Sequence, residues 1–273
     1  MSEHDFLDVG FETPAMPLER SPALQAERLA CCGVDAAAHG DAGRETWAPG
    51  LLGTDCFIHL GDAGQSIRGS VHTAMLVEQF AAVPLAEPLT VQGRTTEVRE
   101  IARGPEAAMA FTFKDKTGET RFRLVLDVLM PDAQRMTGPP AARPSGKPPA
   151  DPRQGLGKIA ERQLQPDHVI TYGGAKNPIH LDPEFAQSLG FRAPIAHGVM
   201  TAVWLLGALD RPAGNPGARA KAPTALTASF KFRRPVFWDD AMELWAAPDA
   251  GRYVSLNADG KLTAEMAVTR TDY

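Results

Sequence analysis

Six prolines fall between residues 139 and 152 of this 273-residue chain, in a stretch with almost nothing apolar to bury. Such a segment can be neither helix nor central strand, and its prolines favour extended, semi-rigid spacing. It therefore divides the chain, predicting an N-terminal domain over 1–135, a linker over 136–157 and a C-terminal domain over 158–273. The length suits two domains of ordinary size.

The two sides carry the same pattern. Before the linker, Ile67, Val71, Ala74, Met75, Val77, Phe80 and Ala81 recur at three- and four-residue steps, which predicts a helix over 66–83. Alternating segments at 89–101, 107–114 and 120–129 predict strands, the last two joined by a turn at Lys116-Thr117-Gly118-Glu119. After the linker an apolar run predicts a helix over 197–209. Strands follow at 224–237, 242–246, 252–257 and 262–269, the last two hinged on Asp259-Gly260. The repetition predicts an α+β fold of two tandem copies, each a long helix packed on a curved antiparallel sheet, with the copies pairing edge to edge. Two unrelated α+β domains are the alternative. Elsewhere, 1–20 lack apolar periodicity and read as an arm that packs late or stays mobile. Residues 22–32 read as a short surface helix with Pro22 in its first turn, and 33–50 as loop.

A composition of 44% hydrophobic and 22% charged residues is that of a globular chain. No run approaches the roughly 18 to 20 apolar residues that span a bilayer, and MSEHDFLDVGFE has none of the marks of a signal peptide. The net charge of -5, with signs interspersed, argues against nucleic acid as a partner. Cys31, Cys32 and Cys56 form no C-x-x-C pair and read as free thiols in a reducing cytoplasm. The expectation is a cytoplasmic protein with no membrane or nucleic-acid partner and no metal site.

The chemistry concentrates in 172–209. Pro178 fixes its own φ and keeps Asn177 extended, a rigid corner that sets Ile179 and His180 on opposite sides. Asp182-Pro183 is placed to cap a short helix over 184–188, which Gly190 stops. Gly198 opens the apolar helix, whose first amides have no partner within it and favour an oxygen gaining negative charge. His180 has the chemistry to move a proton near neutral pH.

The segment GGAKNPIHLDPEFAQSLGFRAPIAHGVM resembles the signature of the MaoC-like family of (R)-specific enoyl-CoA hydratases and 3-hydroxyacyl thioester dehydratases. That pattern runs Ser-Gly-Asp-x-Asn-Pro-x-His, then Gly-Phe followed by Ile-x-His-Gly-Met. FKFRRPVFWDD is similar to the family's first long strand after the helix. The resemblance extends from about Gln165 to the C-terminus, while the N-terminal half is similar to the degenerate first repeat of double hot-dog members. It implies two hot-dog domains in one polypeptide, as a monomer or a homodimer. It implies a hydro-lyase that reversibly hydrates a 2-enoyl thioester, or dehydrates a (R)-3-hydroxyacyl thioester, on coenzyme A or a carrier protein, without a cofactor.

Carried over, His180 is the catalytic histidine, Asn177 holds the active-site loop, and Gly198 offers its amide to the thioester carbonyl. His197, at the start of the helix, and Tyr172 join them on the substrate side. Lys231, Arg233 and Arg234 suit the phosphates of coenzyme A, although alternating charge on a strand also marks a solvated face. The sequence departs from the family pattern at two slots: the aspartate position is Ala175 and the serine position is Gly173. Alanine can neither accept a proton nor orient water. Candidate substitutes are Tyr172, Lys176, Asp182, His59 and His72, the last of which otherwise reads as a satisfied core histidine on the 66–83 helix. An accessory thioester-binding protein and a thioesterase-like activity are the alternative functions.

Overall fold

Alternation of buried and exposed side chains builds most of this molecule. The computed structural model describes residues 4–34, 46–132, 135, 151–173, 177–209 and 223–273. In chain order these form β1 (Met16–Leu18), α1 (Pro22–Cys31), α2 (Leu52–Asp62), β2 (Val71–Gln79), β3 (Leu89–Ile101), β4 (Gly104–Lys114) and β5 (Thr120–Leu129). Then come β6 (Gly157–Gln163), α3 (Pro166–Gly173), α4 (Pro183–Ser188), α5 (Gly198–Leu206), β7 (Ala225–Phe232), β8 (Ala241–Ala247), β9 (Arg252–Asn257) and β10 (Leu262–Asp272).

The strands make one sheet in the order β1-β3-β4-β5-β2-β7-β10-β9-β8-β6. Read outward from its centre, the order is β2, β5, β4, β3, β1 on one side and β7, β10, β9, β8, β6 on the other. Each half also has a helix just before its central strand, α2 before β2 and α5 before β7. This is the expected duplication. The halves join through an antiparallel ladder from Ala74 opposite Lys231 to Gln79 opposite Leu226. Beneath it lies one continuous apolar core, in which Leu52, Cys56 and Leu60 of α2 and Val199, Val203 and Trp204 of α5 meet Met75, Phe111, Leu126 and Phe230 of the strands.

Three sequence expectations need correction. Residues 66–83 are not a helix; their centre is β2. The register of β2 against β5 slips between His72 and Ala74, so the buried positions run 72, 75, 77, 79. A bulge adds one residue to one strand, and here its three-residue step imitates helical spacing. The helix of this half is instead α2, which sequence periodicity missed because seven of its residues are buried and no polar stripe remains. Residues 4–20 are packed rather than mobile: Phe6 is fully buried, and Met16–Leu18 pair with β3. The edge strand β6 also escaped notice, since most of its side chains face solvent and show no apolar alternation. Most of the expected linker lies outside the described residues.

The local signals that held are those with a single-residue mechanism. Ser21 caps α1 by accepting from the Leu24 amide, with Pro22 in its first turn. Asp182 caps α4 through the Glu184 and Phe185 amides. Cys31, Cys32 and Cys56 are buried free thiols.

Phe111 has no exposed surface and sits in the core between the strands and α2. Phe111→Ala is expected to cost about 3–5 kcal/mol, read as a fall in the urea midpoint. A loss below about 1 kcal/mol would mean that the inner layer repacks without the ring.

Candidate active site

Asn177 is extended (φ -124°, ψ 111°), as a residue before proline must be, and Pro178–His180 make one tight turn. Its side chain ties that turn to the other half of the molecule. Asn177 Nδ2 donates to the Ile67 carbonyl at 3.2 Å, while Oδ1 accepts from the Gly69 amide at 3.1 Å and the Ile179 amide at 3.3 Å. The turn sends Ile179 into the core, fully buried, and His180 into a cavity of about 1310 Å³ including its open mouth.

His180 Nδ1 lies 2.7 Å from the Ile195 carbonyl oxygen. A carbonyl only accepts, so Nδ1 carries the hydrogen and Nε2 keeps a free lone pair. Burial lowers the His180 pKa to about 4, against the opposing effect of the Ile195 hydrogen bond. The ring is thus a neutral base at physiological pH. Ile195 is itself fixed, because 195 and 196 pair with the chain at 236–237.

His197 stacks on His180 with ring centroids 3.6 Å apart. Its Nε2 is buried against Gly173 and has no hydrogen-bond partner among the described residues. Burial, then the neighbouring His180 and Arg28, hold its pKa well below the usual histidine value. Gly198 follows as the first residue of α5, presenting the helix start to the same cavity.

A third imidazole enters from the N-terminal half. In a regular strand successive side chains face opposite ways, but the bulge in β2 lets Val71, His72 and Thr73 all line the cavity. A Cβ built on Gly198 would lie 3.3 Å from His72 Cβ and 3.4 Å from its Nδ1, so the ring flanks the helix start. Both His72 nitrogens are buried and, among the described residues, neither makes a well-formed hydrogen bond; the Ala74 backbone offers only a weak one. Burial lowers its pKa to about 3, which the nearby Ala74 backbone offsets only in part.

Two expected site residues lie elsewhere. Tyr172 does not line the cavity: its buried hydroxyl is 2.6 Å from Thr54 Oγ1, a contact between α3 and α2. Lys231 is exposed on β7 and does not reach the cavity either. Arg233 and Arg234 do line it, and both are partly engaged, Arg233 with Glu265 at 2.8 Å and Arg234 with the Leu262 carbonyl at 2.8 Å. Arg103, exposed at the β3–β4 turn, lines the same cavity. Nothing in sequence marks it, because a turn arginine looks like any solvated one.

Ala175 and Lys176 lie outside the described residues. Asp182 is used as a helix cap, and His59 Nε2 is held 2.6 Å from Thr13 Oγ1, away from the cavity. No aspartate or glutamate lines the cavity among the described residues. Among those residues no group of His, Cys, Asp and Glu is arranged to hold a metal ion, and no helix is long and apolar enough to cross a membrane.

His72, His180 and His197 remain neutral in the folded chain, yet each titrates near 6.5 once unfolded. The unfolded state therefore binds more protons below that value. Stability should be full above pH ~6.5 and fall as pH drops towards about 4. Urea midpoints at half-unit steps from pH 7 to 4.5 test this, with a shallower slope expected in His72→Gln. An equal slope in the variant would show that His72 is not one of the linked groups.

Residues 149–252 match the family described as MaoC like domain. The 3-hydroxyacyl-thioester dehydratase X of Mycobacterium tuberculosis is 26% identical over 183 residues, covering 67% of this chain and 61% of that protein. The (R)-specific enoyl-CoA hydratase of Aeromonas caviae is 41% identical over 64 residues, covering 23% of this chain and 44% of that protein. The chain thus spans less than two thirds of the length of these curated relatives. Among solved structures, HtdX of M. tuberculosis aligns with a TM-score of 0.71 at 24% identity, over 94% of this chain and 98% of that one. A second M. tuberculosis protein, described as a double hot-dog fold, aligns at 0.59 with 14% identity over 97% and 96%. At such identities these structures speak to fold alone. Residues 149–252 are thus similar to a MaoC-like domain, within a chain whose fold is that of the double hot-dog proteins.

Proposed function

We propose that this chain adds water reversibly to a 2-enoyl thioester, or in reverse dehydrates a (R)-3-hydroxyacyl thioester, carried on coenzyme A or a carrier protein. The observation that carries this reading is the convergence of a neutral, singly anchored His180 and the start of α5 on one cavity. The names of the M. tuberculosis and A. caviae relatives, a dehydratase and a hydratase of acyl thioesters, support it.

In this mechanism the thioester carbonyl faces the Gly198 amide and C3 faces His180. His180 Nε2 takes a proton from water as its oxygen bonds to C3. The C2=C3 electron pair moves towards the carbonyl, and the enolate oxygen is met by the helix start. The proton then passes to C2, so one water is added and no cofactor is consumed. A fixed amide donor at such an oxygen lowers the barrier by about 2.7–4 kcal/mol, and a positioned base contributes roughly 10²–10⁴-fold. Arg103, Arg233 and Arg234 at the cavity suit the phosphates of coenzyme A.

One observation favours a second reading. With no carboxylate lining the cavity among the described residues, the chain could instead hold acyl thioesters as an accessory protein without turning them over. Crotonyl-CoA distinguishes the two, followed by loss of enoyl absorbance. Turnover in the wild type that drops about 10²-fold or more in His180→Ala is expected. Full activity in His180→Ala would remove His180 from the chemistry, binding without turnover would favour the accessory role, and release of free CoA would mean hydrolysis.

A further inference from the structure

A carbonyl oxygen presents two lone pairs, and one amide donor serves only one of them. As charge gathers on that oxygen in a reaction, a second fixed donor lowers the barrier further. Five side-chain hydroxyls line the cavity among the described residues. Four are engaged. Thr54 Oγ1 lies 2.6 Å from the Tyr172 hydroxyl, Ser70 donates to the Ile67 carbonyl at 2.8 Å, Thr73 donates to Glu106 at 2.6 Å, and Thr263 donates to the Ser255 carbonyl at 2.9 Å. Thr201 is the fifth.

Thr201 is only 5% exposed, and its hydroxyl makes no hydrogen bond among the described residues. Its Oγ1 nevertheless keeps accessible surface on the cavity side, unlike the wholly enclosed nitrogens of His72 and Nε2 of His197. Position gives this hydroxyl its direction. Thr201 stands three residues after Gly198 on α5, so the two share one helix face, at a spacing of about 5–6 Å. Helical side chains tilt towards the N-terminus, which is also the way the helix amides point. The hydroxyl therefore overhangs the turn that begins at Gly198, whose amide has no partner within the helix. His72 flanks the same glycine, but its enclosed nitrogens present no surface to a cavity oxygen.

We propose that Thr201 is the second donor to the thioester oxygen, forming with the Gly198 amide a two-point cradle for the enolate; this rests on reading the cavity as an acyl-thioester site with its carbonyl at the start of α5. When water adds at C3, the C2=C3 pair shifts to C1–C2 and the carbonyl pair moves onto oxygen. Thr201 Oγ1 donates to that oxygen without giving up its hydrogen. The pairs return when C2 takes its proton. Threonine ends as it began, and one water is consumed per enoyl group.

The experiment pairs kcat and KM for crotonyl-CoA with the infrared carbonyl frequency of bound butyryl-CoA, isotope-labelled at its carbonyl carbon, which needs no turnover. Thr201→Val keeps the shape of the side chain and removes the hydroxyl. It is expected to lose about 10²-fold in kcat with KM within about threefold, and to raise the bound carbonyl frequency above that of the wild type. Thr201→Ser, which keeps the hydroxyl, should hold both near wild type. If the urea midpoint of Thr201→Val falls, Thr201→Ala against Thr201→Ser isolates the hydroxyl instead. An unshifted frequency, an unchanged kcat, or a loss that Thr201→Ser shares overturns the proposal. A wild type that binds butyryl-CoA but hydrates no enoyl-CoA overturns the hydration reading alone, and the frequency shift then decides for or against Thr201. A wild type that does not bind butyryl-CoA overturns both.

Discussion

The ladder between β2 and β7 is the interaction on which the rest of the molecule depends. In the strand order of each half, β2 and β7 are edges, with a row of unpaired amides and carbonyls on one side. Pairing them satisfies both rows and merges two modest cores into one. The near-identical strand order outward from this seam shows why two copies of one pattern suffice.

The seam also decides where the site lies. Its register opens at Ala74 opposite Lys231. Just before that pair β2 carries His72 and Thr73, and just beyond it the chain after β7 carries Arg233 and Arg234, all lining the cavity. The C-terminal half supplies His180, His197 and the start of α5. Asn177, reaching Ile67 and Gly69 across the interface, fixes the two sets relative to each other. A functional loop held by a side chain from its own rigid corner loses little entropy when a ligand arrives.

Burial sets the chemistry more than any charged partner does. Desolvation is the largest influence on all three cavity histidines, so each is held neutral. For a base this costs some proton affinity but guarantees a free lone pair across the physiological range. It also places neutral imidazoles, beside the arginines at its mouth, in a cavity in which no described carboxylate appears, where a carboxylate would itself have to resist desolvation.

Local rules made much of this protein legible. The Asn177-Pro178 corner, the Asp182 cap, the apolar α5 and the alternating strands of both halves follow from proline geometry, capping and period-two burial, each acting within a few residues. The duplication followed from seeing that pattern twice. What sequence periodicity could not show was set by contacts between residues far apart. A bulge disguised β2 as a helix, burial on all sides hid α2, and Arg103 reached the cavity only through the folding of a hairpin. The same holds at the opening itself. The motif named His180 and marked Gly173 and Ala175 as departures, but only packing revealed that His197 occupies the room at Gly173. A one-residue vacancy is a statement about sequence; what fills it is decided by three-dimensional close packing.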